Sequence, residues 1–95
     1  NDMYEGNIDC NGSLDIPKGI SLSLSRYFTC GTPGCTVTYK WKYKRPLIDT
    51  YYQESPNNTA IFPITFSQTG KYEIILEAFC GGIKCSSCKV SFVSK

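Results

Sequence analysis

Apolar and polar residues alternate along most of this 95-residue chain. The stretch GISLSLS, 19–25, sets Ile20, Leu22 and Leu24 against Ser21, Ser23 and Ser25. A period of two fits a strand with one buried face. TVTYKWKYK, 36–44, places Val37, Tyr39, Trp41 and Tyr43 on one face and Lys40, Lys42 and Lys44 on the other. AIFPITF, 60–66, is rich in β-branched and aromatic residues, but Pro63 has no N–H to donate and predicts an edge or a bulge. KYEIILEAF, 71–79, sets Tyr72, Ile74, Leu76 and Ala78 against Lys71, Glu73, Ile75, Glu77 and Phe79. KVSFV, 89–93, brings Val90 and Phe92 together. A short early strand is expected within 7–16. An irregular one is expected around 49–52, inside a polar, turn-rich segment, 45–58. Helical spacing never outscores alternation. About seven short strands at this spacing predict an all-β fold, an antiparallel β-sandwich. With no repeat and no linker, residues 1–95 read as a single domain.

A chain of this length buries little more than about 60% of its unfolded surface, so its core leaves a thin margin and added staples would help. Six cysteines, an even number, favour a disulfide framework in an oxidising compartment. Three of them crowd into FCGGIKCSSCKV, 79–90, where metal binding and redox chemistry compete with a staple. Zinc would need four thiolates, such as Cys30, Cys35, Cys85 and Cys88. Zinc ribbons, however, bring paired C-x2-C knuckles, and this chain has one. A redox C-x2-C wants a helix N-terminus, and CSSC leads into a strand. The staple is the favoured reading.

The net charge of +2 makes no case for nucleic acid, and histidine is absent. That removes the commonest general base and the Ser-His and Cys-His nucleophiles. Asp9, Asp15, Asp49, Glu54, Glu73 and Glu77 are scattered. Glu73 and Glu77 share a strand face ~13 Å apart, beyond the roughly 5 to 9.5 Å of a glycosidase pair. No phosphate loop is present. The expectation is no enzyme, no cofactor and no metal. No run approaches the ~18 apolar residues of a membrane span. The polar opening, NDMYEGNIDC, carries no signal peptide and reads as a mature or excised segment.

Tyr51 and Tyr52 stand in the polar stretch DTYYQES. Neighbouring strand residues face opposite ways, so one ring should be exposed. With Gln53, Asp49 and Glu54 nearby they suit a sugar face, and Tyr43 is the other candidate ring. Lys40, Lys42 and Lys44, extended by Arg45, form a basic stripe. It pairs with Glu73 and Glu77 across the sheet, or meets a polyanion. Asn11 and Asn57 begin N-x-[ST] patterns, which matter only for a eukaryotic secretory source.

SQTGKYEIIL, 67–76, resembles the G-x-Y approach to strand F of immunoglobulin-like and PKD-like domains, with Tyr72 at the corner tyrosine. TYKWKY resembles strand C, with Trp41 at the core tryptophan. CGGIKCSSCKVSF resembles the cysteine-bearing end of such modules in secreted and surface proteins of Bacteroidetes-type bacteria. The likeness spans about 19–93. Two features depart from it: the WDFGDG loop is missing, and no cysteine lies two residues after Tyr72. The resemblance implies an Ig-like/PKD-like sandwich with all six cysteines clustered at one end. Six cysteines allow fifteen pairings. The preferred set is Cys30–Cys35, Cys80–Cys85 and Cys10–Cys88; the crossed alternative ties the 30–35 loop to the 80–85 turn. The implied function is a non-catalytic structural or adhesive module, extracellular or at the cell surface. It would act on other domains or proteins of an assembly. A carbohydrate-binding module is the alternative, and a small secreted ligand acting through its cysteine-rich loops is a third reading.

Overall fold

The computed structural model describes Ile8, residues 10–31 and residues 33–95. Seven strands follow one another: β1 (Ser13–Ile16), β2 (Ser21–Ser25), β3 (Val37–Lys44), β4 (Gln53–Glu54), β5 (Ile61–Thr65), β6 (Gly70–Cys80) and β7 (Ile83–Ser94). No helix occurs among the described residues. The strands make two sheets, β1-β7-β6-β3-β4 and β2-β5. Alternation explains the layering. Tyr72, Ile74, Leu76 and Ala78 of β6 are buried, as are Val90 and Phe92 of β7, Trp41 of β3, Leu24 of β2 and Phe62 of β5. Apart from Ala78, these side chains from both sheets form one core cluster. Pro63 lies, as its missing donor requires, on β5, an edge strand of the two-stranded sheet.

Three expectations need correction. β1 pairs with β7 in parallel, Ser13 against Ser91 and Ile16 against Ser94, so the fold is not wholly antiparallel. The Cys10–Cys88 bridge sets the start of β1 beside the middle of β7, and the chain then runs the same way. β6 and β7 are not short: they span 11 and 12 residues. They reach a two-residue turn, Gly81–Gly82, with φ of 58° and 84°. That turn needs positive φ at both positions, which glycine adopts without penalty. CSSC therefore lies within a strand. The irregular strand expected at 49–52 falls instead at Gln53–Glu54, because Arg45 and Asp49 close the preceding turn on each other. The early strand falls at Ser13–Ile16, inside the expected 7–16; Asn7 and Asp9 lie outside the described residues.

The disulfides differ from the preferred set. Cys10–Cys88 is present, but Cys30 pairs with Cys85 and Cys35 with Cys80. Register supplies the reason. Val37 faces Cys80 across the β3–β6 ladder, so Cys35, just before β3, lies alongside Cys80. The bridges are nested, with separations of 78, 55 and 45 residues. On the loop-entropy account each long loop constrains the unfolded chain by roughly 4 kcal/mol, about twice what a C-x4-C loop would give. Two bridges clamp the β6–β7 hairpin tip onto the 26–36 loop. The third lies deeper, for Cys88 is buried and faces Leu76 in mid-sheet. The staples thus reach from one end into the core. All six cysteines are bonded, so none is free as a metal-binding thiolate.

Trp41 and Tyr72 are fully buried. The Trp41 ring stacks on Phe62 at 5.2 Å, and its Nε1 donates to the Thr59 carbonyl at 2.8 Å. The Tyr72 hydroxyl accepts from the Gln68 backbone N–H at 2.8 Å, tying the β5–β6 connection to the core. Tyr72→Phe strips that N–H of its acceptor. It is expected to lower unfolding free energy by about 1–2 kcal/mol in urea titration; an unchanged midpoint would mean the tie contributes nothing.

Candidate functional site

The end opposite the hairpin tip is built on the turn that follows β3. The motif is short: Arg45 and Asp49, opposite charges four residues apart, bracket Pro-Leu-Ile. Asp49 accepts from Arg45 Nε at 2.7 Å, from Nη2 at 3.0 Å and from its backbone N–H at 2.9 Å. The Asp49 N–H returns a bond to the Arg45 carbonyl at 3.1 Å. The Asp49 side chain is only 5% exposed. Arg45 also lies over the Tyr43 ring, 5.3 Å from its centroid.

The same turn seats on Gly70. A Cβ placed there would meet Pro46 Cβ at 2.8 Å, and the φ of +132° excludes ordinary side chains. Leu47 adopts a left-handed φ of 66°, uncommon for a non-glycine residue. It is 89% exposed, Ile48 is 49% exposed and Tyr51 is 77% exposed. A locked backbone thus projects apolar side chains into solvent.

The expected sugar-face residues are divided: Gln53 contacts Tyr51, but Tyr52 is bonded to Glu73 and Tyr43 packs on Phe62. Tyr51 is well exposed, whereas Tyr52 is only partly so. Tyr52 lies on the outer face of the five-stranded sheet, its hydroxyl donating to Glu73 Oε1 at 2.9 Å. Burial and that bond raise the Tyr52 hydroxyl above its ordinary value. The Tyr52 bond, followed by Lys89, holds Glu73 below the usual carboxylate range. Gln53 Nε2 donates to the Tyr51 carbonyl. Tyr43 is on the opposite, inner face, stacked on Phe62 at 5.5 Å. It lines a cleft of about 340 Å³ with Arg45, Phe62, Pro63 and Ile64.

The basic stripe is largely neutralised. Lys40 pairs with Glu54 at 3.6 Å and Lys42 with Glu77 at 3.4 Å. Glu73, expected to serve the stripe, pairs with Lys89 at 3.3 Å. Lys44 faces Glu73 in register but forms no ion pair with it. Asp15 pairs with Lys95. Each of the five described carboxylates is therefore in an ion pair.

Leu47 and Ile48 escaped the sequence reading. The legible signal was the Arg45/Asp49 bracket around an apolar pair in an otherwise polar segment. With the site described, comparison with known proteins adds no family: no protein-family model and no curated protein matches the chain. Among the described residues no helix is long and apolar enough to cross a membrane.

The turn should respond to acid. Hydrogen bonds from Arg45 hold Asp49 below the ordinary aspartate value of 3.8. A depressed carboxylate stabilises the fold above its unfolded pKa and stops doing so as pH falls through its folded one. The turn is thus expected to stay closed from neutral pH down to about 4 and to open only below that. Followed by NMR, the Arg45 amide should titrate with a midpoint under the ordinary value. In Asp49→Asn it should already exchange fast at pH 7. A midpoint at or above the ordinary value would contradict the bonded geometry.

Proposed function

We propose that this chain is an Ig-like/PKD-like β-sandwich module of an extracellular or cell-surface protein, non-catalytic, working by contact with another protein. The single observation carrying the contact reading is the locked 45–49 turn with Leu47 and Ile48 exposed at its tip. Leu47 and Ile48 stand outside the core cluster, held out by a turn whose Asp49 side chain is nearly buried under a half-exposed Arg45. Adjoining exposed apolar side chains on a fixed backbone suit an interaction site. Support for the fold family comes from the Tyr72–Gln68 tie, from Trp41 stacked in the core, and from β3, β6 and β7 as sheet neighbours opposite β2 and β5. Three disulfides fit an oxidising environment. Pairing of every described carboxylate supports a non-catalytic role. The carbohydrate reading keeps one well-exposed ring, Tyr51, whose polar neighbours are engaged within the chain.

The contact reading predicts that Leu47→Asp/Ile48→Asp leaves stability within about 0.5 kcal/mol of the parent. Thermal and urea unfolding measure this. A loss of several kcal/mol would make these residues part of the fold and remove the reason to assign them a partner.

A further inference from the structure

Resting on the contact reading, the charges around the turn define its partner. At this end of the five-stranded sheet every described acid has its own cation: Asp49 has Arg45, Glu73 has Lys89 and Asp15 has Lys95. Lys44 immediately precedes the turn and Lys71 follows Gly70, on which Pro46 rests. Both point to the outer face, and neither forms an ion pair among the described residues. Lys18 lies at the same end, where Gly19 N–H bonds the Phe66 carbonyl, and it too forms no ion pair there. Lys44 and Lys71 thus flank the base of the apolar turn as cations outside any ion pair among the described residues, Lys71 within reach of the Glu73 charge, and Lys18 adds positive charge at the same end of the fold.

We infer that the Arg45–Tyr51 turn docks into an apolar socket rimmed by carboxylates on another protein. Leu47 and Ile48 are the anchors, and Lys44 and Lys71 are the cations that select the rim. Charge complementarity of this kind sets specificity and speeds encounter. The locked backbone favours a shaped protein socket over a lipid surface. Binding into a socket gains from a turn already fixed in its bound form, whereas a fluid bilayer would accept a flexible turn equally well.

The test pans a phage-displayed library of random dodecapeptides against the whole domain and measures the enriched peptides on three proteins. These are the parent, Leu47→Asp/Ile48→Asp and Lys44→Glu/Lys71→Glu, each first shown to melt like the parent. The expected peptides combine Asp or Glu with aliphatic or aromatic residues, and they bind both variants about tenfold or more weakly. Peptides that lose binding to the first variant alone and carry no acids would overturn the acidic socket and leave the contact reading standing. No enrichment, or peptides indifferent to both variants, would overturn both. In a parallel arm, phosphatidylcholine vesicles with phosphatidylglycerol are sedimented with each protein. Pelleting of the parent that both variants lose would overturn the protein socket in favour of an anionic lipid surface.

Discussion

Replacing Cys10 and Cys88 together by alanine is expected to lower unfolding free energy by about 4 kcal/mol. The bridge spans 78 residues, the longest of the three loops, and the cost of closing a loop in the unfolded chain grows with its length. It also holds the start of β1 beside β7, where Asn11 N–H bonds the Lys89 carbonyl and Ser91 N–H the Gly12 carbonyl. Native domains retain only about 5–15 kcal/mol in total, and a chain this small sits near the lower figure. The double variant should therefore be partly unfolded at 37 °C. Alanine is the proper replacement because Cys88 is buried in the core, where a serine hydroxyl would add a desolvation cost of its own. Urea unfolding by fluorescence measures the difference. A loss below about 1 kcal/mol would show that the bridge adds little beyond the backbone bonds around it.

Trp41→Ala should cost a similar amount, about 3–5 kcal/mol. The ring is fully buried between the sheets, stacked on Phe62, with Nε1 bonded to the Thr59 carbonyl. Alanine leaves a cavity and an orphaned carbonyl together. Trp41→Phe fills most of the cavity and keeps the stack, so it isolates the lost bond and should cost about 1–2 kcal/mol. Equal losses in the two variants would contradict this division. Because Thr59 lies in the segment before β5, the bond also ties that segment to β3. Its loss should speed amide exchange at Tyr39, whose N–H bonds the Asn58 carbonyl.

Strands were legible wherever one face is buried. The alternation in 36–44 and 71–79 marks β3 and β6 because their inward residues meet the opposite sheet. Pro63 declared an edge because it lacks a donor. Other features turned on long-range register, which period alone does not encode. Cys35 meets Cys80 because Val37 pairs with Cys80, and nothing local in C-x4-C distinguishes that from a short loop. The parallel β1 depends likewise on where Cys10 is anchored.

The site was half legible. The segment 45–58 reads as polar, and the Tyr51–Tyr52 pair as carrying one exposed ring. The rings and the lysine stripe are the conspicuous features of the sequence, yet Tyr43 packs inward and Lys40 and Lys42 are paired within the sheet. What organises the turn is a bidentate pair, Arg45 with Asp49, and the space that Gly70 leaves for Pro46. An i,i+4 charge pair reads as a helix feature; here it closes a turn between strands.

Amide hydrogen exchange across 45–52, in the whole domain at neutral pH, tests most directly whether the contact surface is preformed. The account predicts slow exchange at Arg45 and Asp49, whose N–H groups are both bonded within the turn, while Leu47 and Ile48 stay exposed to solvent above them. Exchange at Arg45 and Asp49 as fast as in an unstructured peptide would contradict it, because the turn would then hold no fixed shape for a partner to recognise.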